Sequence, residues 1–242
     1  MKVSLIGMTK PILENLTETD VVFTAMSQCY NEHFNEQDAL NMDEIKKNKI
    51  LKNVLNSGHE SVVEHVNFTF LIEDVSRALT HQLVRHRIAS FSQRSGRYTG
   101  LESGDWYVIP HTIRKNLNAL NLYLETMETI KECYNTLTEV CNIPKEDARF
   151  ILPNGQHTNI AVTMNCRALK NFFGLRLCSR AQWEIREMAM EMANICKEKM
   201  PEIFVDCKFA EPKCVQLGFC TEPKKQWCHK MSHITELKNT EK

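Results

Sequence analysis

Between Glu60 and Ile72, in ESVVEHVNFTFLI, the residues Val66, Phe68, Phe70 and Ile72 fall at every second position, with Asn67 and Thr69 between them. A period of two places a whole apolar face on one side of an extended chain and cannot be reconciled with a helix of 3.6 residues per turn. The segment therefore contains a strand, entered after a break at Ser57-Gly58. Helical patterns flank it. Upstream, MDEIKKNKILKNVLN carries Ile45, Ile50, Leu51, Val54 and Leu55 at helical spacing, with Gly58 as its C-terminal cap. Downstream, EDVSRALTHQLVRHR predicts a helix with Val75, Ala78, Leu79, Gln82 and Leu83 on one face.

The same reading gives a short strand in MKVSLIGMTKPILENL and another in TNIAVTMN. From His111 to Asn142, Ile113, Leu117, Leu120, Leu124, Met127, Ile130, Tyr134 and Leu137 predict one long amphipathic helix. Pro144 opens a short helix through Arg149, which Pro153-Asn154-Gly155 ends in a turn. CRALKNFFGLRL is helical, and SRAQWEIREMAMEMANICKEKM is a longer helix with Ala181, Ile185, Met188, Met192 and Ile195 buried, stopped by Pro201. The expected fold is a single α+β domain over residues 1–219, a small sheet packed with long helices, and a loosely ordered tail over 220–242.

The function classes are narrowed by what the chain lacks. Its 242 residues carry 30 basic and 30 acidic side chains, so there is no surplus of cations for a nucleic-acid face. No apolar run approaches the ~20 residues of a membrane span, and the N-terminus has no signal-peptide core. A cytoplasmic protein is expected, without nucleic-acid or membrane partners. Its ten cysteines are read as reduced thiols, with Cys133, Cys141, Cys166 and Cys196 in apolar helical surroundings.

Against that neutral background RHRIASFSQRSGRY, Arg85 to Tyr98, holds four arginines, a histidine and three serines, and no carboxylate. The helix dipole by itself favours Arg85-His86-Arg87 at a helix end. It does not account for Ser90, Ser92, Arg94, Ser95 and Arg97, which suit a small anion such as phosphate. Ser95 is read as a ligand-binding hydroxyl; a nucleophile needs an adjacent base, and the nearest histidine, His86, is nine residues away. A plain turn residue is the third reading. His59-Glu60 and Glu64-His65 lack the four-residue histidine spacing of a zinc protease. Arg149, Asn165, Arg167, Asn171, Arg176 and Arg180 interrupt apolar helices; Arg176, between Leu175 and Leu177, needs a partner or a function if buried. Cys207, Cys214, Cys220 and Cys228, with His229 and His233, are too widely spaced for a zinc knuckle, and no metal is expected. Neither a Walker A loop nor a GxGxxG fingerprint is present.

The loop RHRIASFSQRSGRY resembles the signature of flavin-dependent thymidylate synthases, an Arg-His-Arg triplet followed after seven residues by Ser, here Arg85-His86-Arg87 and Ser95. GHESVVEHVNFTF, YVIP, EDARFILP, TMNCRALKNFFGLR and RAQWEIREMA are similar to further family blocks in family order, over about residues 1 to 205. The resemblance implies methylation of dUMP to dTMP with FAD, with 5,10-methylenetetrahydrofolate and NADPH as co-substrates, in a homotetramer whose sites are shared between subunits. It assigns dUMP binding to Gln82, Leu83, Val84, Arg85, Gln93, Arg94, Ser95, Gly96, Arg97, Arg149 and Arg176. FAD binding falls to His59, Ser61, Arg85, His86, Arg87, Gln93, Asn165, Cys166, Arg167 and Asn171. Arg176 is the catalytic residue, facing the pyrimidine ring. Many family members carry Asn-Glu where this chain has Ser92-Gln93, and Gln93 supplies no carboxylate. A catalytically inert phosphate-ester or RNA-binding module, with Phe91 and Tyr98 as stacking groups, is the rival reading; neutral charge and the second arginine set on separate helices speak against it.

Overall fold

A computed structural model describes residues 1–101, 106–222 and 228. The first half contains β1 (Lys2–Met8), α1 (Glu18–Ser27), α2 (Glu36–Asn41), α3 (Glu44–Asn56), β2 (Asn67–Ser76), α4 (Arg77–Leu83) and β3 (Ser90–Gln93). The second contains α5 (His111–Arg114), α6 (Leu117–Asn135), α7 (Lys145–Ala148), β4 (His157–Asn165), α8 (Cys166–Arg176), α9 (Trp183–Lys199), α10 (Pro201–Phe204) and α11 (Lys213–Leu217). The strands form one sheet in the order β1-β2-β4-β3.

The period-two signal is strongest in β4, where Thr158, Ile160, Val162 and Met164 are buried and every intervening residue is half-exposed. In β2 the alternation buries Phe68, Phe70 and Ile72 as expected, but the strand starts later and runs further than the sequence pattern. Residues Ser61–His65 form a 3-10 turn that buries Val62 and Val63. Glu73–Ser76, expected to be helical, belongs to the strand: Asp74 takes a left-handed φ of 56°, which shifts the phase by one and turns Val75 inward. Helix α4 begins only at Arg77, because the Ser76 hydroxyl accepts from the Leu79 backbone N–H at 3.0 Å and caps it.

The described chain falls into two compact units that interleave in sequence, with β2 and β4 each passing from one to the other. The first comprises Met1–Lys2, Ile72–Arg85 and Phe91–Ala161. The long helix expected here is interrupted. The Asn116 side chain accepts from the Ala119 backbone N–H at 3.1 Å and starts a new helix, α6, which relaxes into a π turn over Thr136–Val140. Only Met127 and Tyr134 of its stripe are buried, whereas Leu117 and Leu124 are exposed.

The second unit comprises Val3–Leu71, His86–Ser90 and the described residues of Val162–Lys242. A chain of edge-to-face rings runs through its core from Phe68 to Phe204, then to Phe173 and Phe172, with centroids 5.5 to 6.2 Å apart. Helix α9 adds Ile185, Met188, Ala189, Met192, Ala193 and Cys196; Ala181 and Ile195, assigned to the stripe from periodicity, are only half-buried. Helix α3 holds a residue the helical pattern did not place inside. Lys47 is buried against Asp20 of α1, with Nζ 2.5 Å from Oδ1, and it also meets the exposed Glu44. Burial alone would raise the Asp20 carboxyl, but hydrogen bonds from Lys47 and Thr17 outweigh it and hold the carboxyl below its ordinary value. Ile45, by contrast, is exposed. Gly58 follows α3 with φ of 88°, the left-handed cap expected of it.

Among the cysteines, Cys166 and Cys196 are buried as expected, while Cys133 and Cys141 are exposed. No disulfide joins any of the ten. Among the described residues no helix is long and apolar enough to cross a membrane. The expected loose order of the tail concerns residues that, for 223–227 and 229–242, lie outside the described ones.

Candidate active site

The cationic loop is delivered by α4 but is not one continuous coil. Val84 to Ala89 turn away from the helix, and Ser90–Gln93 then form the edge strand β3. This divides the expected ligands between the two units. Gln82 to Arg85 and Gln93 to Arg97 lie in the first unit with Arg149, whereas His86 and Arg87 lie in the second with Asn165 to Arg176.

In the first unit a set of guanidinium groups converges. Arg77, which the sequence reading did not select, donates from Nη2 to the Arg94 carbonyl at 2.9 Å. Its pKa is lowered by burial, and further by the charges of Arg149 and Arg94. Gly96 lies against the same groups: a Cβ there would stand 3.4 Å from Arg149 Cδ and 3.8 Å from Arg77 Nη2. Like charges gathered round a half-buried guanidinium are compensated by an anion.

Ser95 sits in a turn built on its own backbone, its carbonyl accepting from the Tyr98 and Thr99 backbone N–H groups at 3.2 and 3.1 Å. Its hydroxyl accepts from the Arg97 N–H at 3.3 Å. Arg97 pairs with Glu146, Nε to Oε2 3.0 Å, at an exposed position. Gln93 is spent on structure: its amide donates to Thr80 Oγ1 at 2.9 Å and to Thr158 Oγ1 at 3.3 Å, both hydroxyl residues being fully buried. Leu83 is a core residue, and Val84 and Arg85 are exposed.

In the second unit His86, Arg87, Asn165, Arg167 and Asn171 line one cavity of about 630 Å³. That is the volume range of pockets that hold cofactor-sized ligands. Helix α8 presents most of these groups. Asn165 caps it, accepting from the Ala168 N–H at 2.8 Å, so one of its two polar atoms is already engaged. Cys166 is not part of the wall; its side chain is fully buried, burial pushes its thiol far up, and its backbone N–H is taken by the Val66 carbonyl. His59 and Ser61 are exposed and do not line the cavity, although Glu60 and Glu64 of the same turn do. Glu64 pairs with Arg167 and Glu60 with Lys170. Lys170 is, after Arg77, a second cation that sequence reasoning missed; its position three residues after Arg167, on the same helix face, was the signal.

Arg176, the last residue of α8, donates from Nε to His86 Nε2 at 3.0 Å. Burial, and then the Arg176 charge, push the His86 imidazole down to about 4, so it is neutral at pH 7 with Nε2 as the acceptor. His86 also packs edge-on against Phe172 at 5.0 Å, extending the aromatic core to the cavity wall. The arrangement holds one guanidinium in a fixed plane beside a cavity rich in cationic and amide donors. This donor set fits a flavin dinucleotide: cations for a diphosphate, amides for a ring's polar edge, and an arginine able to stabilise charge.

Residues 12–202 match the family model described as thymidylate synthase complementing protein, Thy1. A flavin-dependent thymidylate synthase of Nitratidesulfovibrio vulgaris is 43% identical over 236 residues, 91% of this chain and 95% of the relative. One from Pyrococcus abyssi is 42% identical, over 92% of this chain and 90% of the relative. The fold is similar to that of the Helicobacter pylori flavin-dependent thymidylate synthase ThyX, solved with FAD and dUMP, with a TM-score of 0.68 and 24% identity over 86% of this chain and 99% of that one. This chain belongs to the flavin-dependent thymidylate synthase family.

Proposed function

We propose that the protein methylates dUMP to dTMP, taking a one-carbon unit from 5,10-methylenetetrahydrofolate and reducing equivalents from NADPH through FAD. The observation that carries the reading is the single cavity lined by His86, Arg87, Asn165, Arg167 and Asn171, with Arg176 held beside it through His86. FAD, when bound, supplies the redox chemistry that the side chains cannot.

The chain's own residues have the remaining tasks. Arg167 and Lys170 neutralise phosphate charge, exchanging their present carboxylate partners for it. Arg77, Arg94 and Arg149, gathered round Gly96, receive the dUMP phosphate, and Ser95 adds a hydroxyl. Arg176 faces the pyrimidine and favours negative charge on the ring as carbon 5 acts as nucleophile. Neutral His86 fixes the plane of that guanidinium. Gln93 does not act as a base. Its amide holds β3 to Thr80 and Thr158.

The assembly we propose is a homotetramer in the cytoplasm. Leu117 and Leu124, on one face of α6, are exposed, and a second copy of the chain would cover them. Light scattering of the active protein should give four chains per particle; monomers alone would contradict the assembly while leaving the chemistry intact. The chemistry itself is tested by titrating FAD into purified protein and following dUMP-dependent dTMP formation. A flavin spectrum and turnover are expected. Absence of FAD retention in equilibrium dialysis at every ionic strength would defeat the reading.

A further inference from the structure

A second, smaller cavity in the same unit, of about 70 Å³, is lined by four cysteines from separate stretches of chain: Cys178, Cys214, Cys220 and Cys228. We propose that these four thiols are the ligands of one thiophilic divalent cation, Zn²⁺, which ties the C-terminal segment to helix α8.

The fold brings the four together through contacts between α8 and α11. Gly174 in α8 is buried so closely that a Cβ would stand 3.3 Å from Gln216 Oε1. Gln216 in turn donates to the carbonyls of Lys170 at 3.1 Å and Glu211 at 2.7 Å, which locks α11 against α8. Cys178, two residues beyond α8, and Cys214, inside α11, therefore face one space. Gly218, left-handed with φ of 82°, turns the chain after α11 and returns Cys220 to it.

Sequence spacing argued against zinc because no CxxC pair is present, and because it grouped the wrong cysteines. Cys207 is buried elsewhere and donates to the Glu202 carbonyl at 3.3 Å; Cys178, from a distant part of the chain, takes its place. A structural zinc site asks for four N or S ligands around a tetrahedron, which this set supplies without help from a carboxylate. The cysteines are only half-buried, unlike Cys166 and Cys196, which are packed as core residues. Lys213 lines the same cavity and offsets part of the negative charge that four thiolates leave around a divalent ion, while Arg180, also in the lining, is paired with Glu222. As they stand, no three or more His, Cys, Asp or Glu side chains among the described residues are gathered at metal-holding distance. Binding thus entails rotation of the cysteine side chains inward, a change between staggered rotamers. The step exchanges thiol protons for the cation, releases the protons to solvent and changes no oxidation state.

The test uses the full chain, grown with added zinc and purified reduced and without chelator, with metal and flavin measured separately. About one zinc per chain is expected, with a sulfur-only shell near ~2.3 Å in X-ray absorption. Cys214→Ser with Cys220→Ser should reduce zinc to background, while Cys207→Ser should keep it. If the double variant does not fold, thiol titration of the unaltered protein decides: four thiols should react only after zinc is removed. Failure of the reduced protein to take up zinc, full zinc in the double variant, identical thiol reactivity with and without zinc, or iron with labile sulfide in its place would each overturn the proposal. Flavin content and dTMP formation are read independently, so loss of the zinc site is distinguishable from failure of the thymidylate synthase reading.

Discussion

Arg176 and His86 are joined by a 3.0 Å hydrogen bond in which the guanidinium Nε donates to imidazole Nε2. The bond runs from the last residue of α8 to the loop that follows α4, and it requires a neutral histidine. Burial and the arginine charge together guarantee that state at pH 7, since they push the imidazole down to about 4.

Removing the guanidinium should therefore affect chemistry more than cofactor retention. Arg176→Ala is expected to lower turnover by about a hundredfold or more, the scale on which preorganised charge stabilisation operates. Arg176→Lys should restore part of it, because a point charge replaces a planar fork. Steady-state dTMP formation at saturating substrates, with flavin content measured alongside, checks both. Near-normal turnover in the alanine variant would remove Arg176 from the mechanism.

The histidine should leave a mark on stability against pH. Its folded pKa of about 4 lies below the ordinary value of 6.5, so between those values the unfolded chain binds the proton and the folded chain does not. This contribution is fully present above pH 6.5, is lost as pH falls toward 4, and changes no further below that. His86→Gln keeps an acceptor for Arg176 but cannot titrate, so its urea stability should fall less steeply over the same window. Equal slopes for the two proteins would place the titration elsewhere.

Ser95→Ala is expected to weaken dUMP binding and leave most of the turnover at saturating dUMP. The Ser95 hydroxyl accepts from the Arg97 backbone N–H, and its turn lies beside the arginines gathered around Gly96. Complete loss of product with unchanged dUMP affinity would instead mark Ser95 as a nucleophile.

The Asp20–Lys47 pair, which does not line the cavity, sets a stability test. Asp20→Asn leaves a buried ammonium with only the exposed Glu44 as counter-ion, and breaking such pairs costs about 3–5 kcal/mol. Glu44 should keep this case near the lower end. Replacing both partners, as Asp20→Leu with Lys47→Met, should recover part of the loss in urea unfolding, because no buried charge remains although Thr17 loses the carboxylate that caps α1.

What the sequence determined alone was whatever depends on neighbours along the chain. The alternation in β2 and β4, the Ser-Gly break after α3 and the Pro201 stop all follow from local periodicity and capping, and they were legible, whereas periodicity alone did not put Asn165, Arg167 and Asn171 on one face. Tertiary structure decided the rest, because burial and partner choice depend on residues distant in sequence. A left-handed Asp74 extended β2 past its expected end, and Asn116 divided the long helix in a way the apolar spacing concealed. Lys47 went inside because Asp20 was waiting there, and Arg77 joined Arg94 and Arg149 because β3 paired with β4. Cys178 replaced Cys207 among the clustered thiols because α11 packs on α8 through Gln216 and Gly174. Periodicity specifies which face of an element is apolar; only the packed chain specifies what that face, and the polar groups around it, will meet.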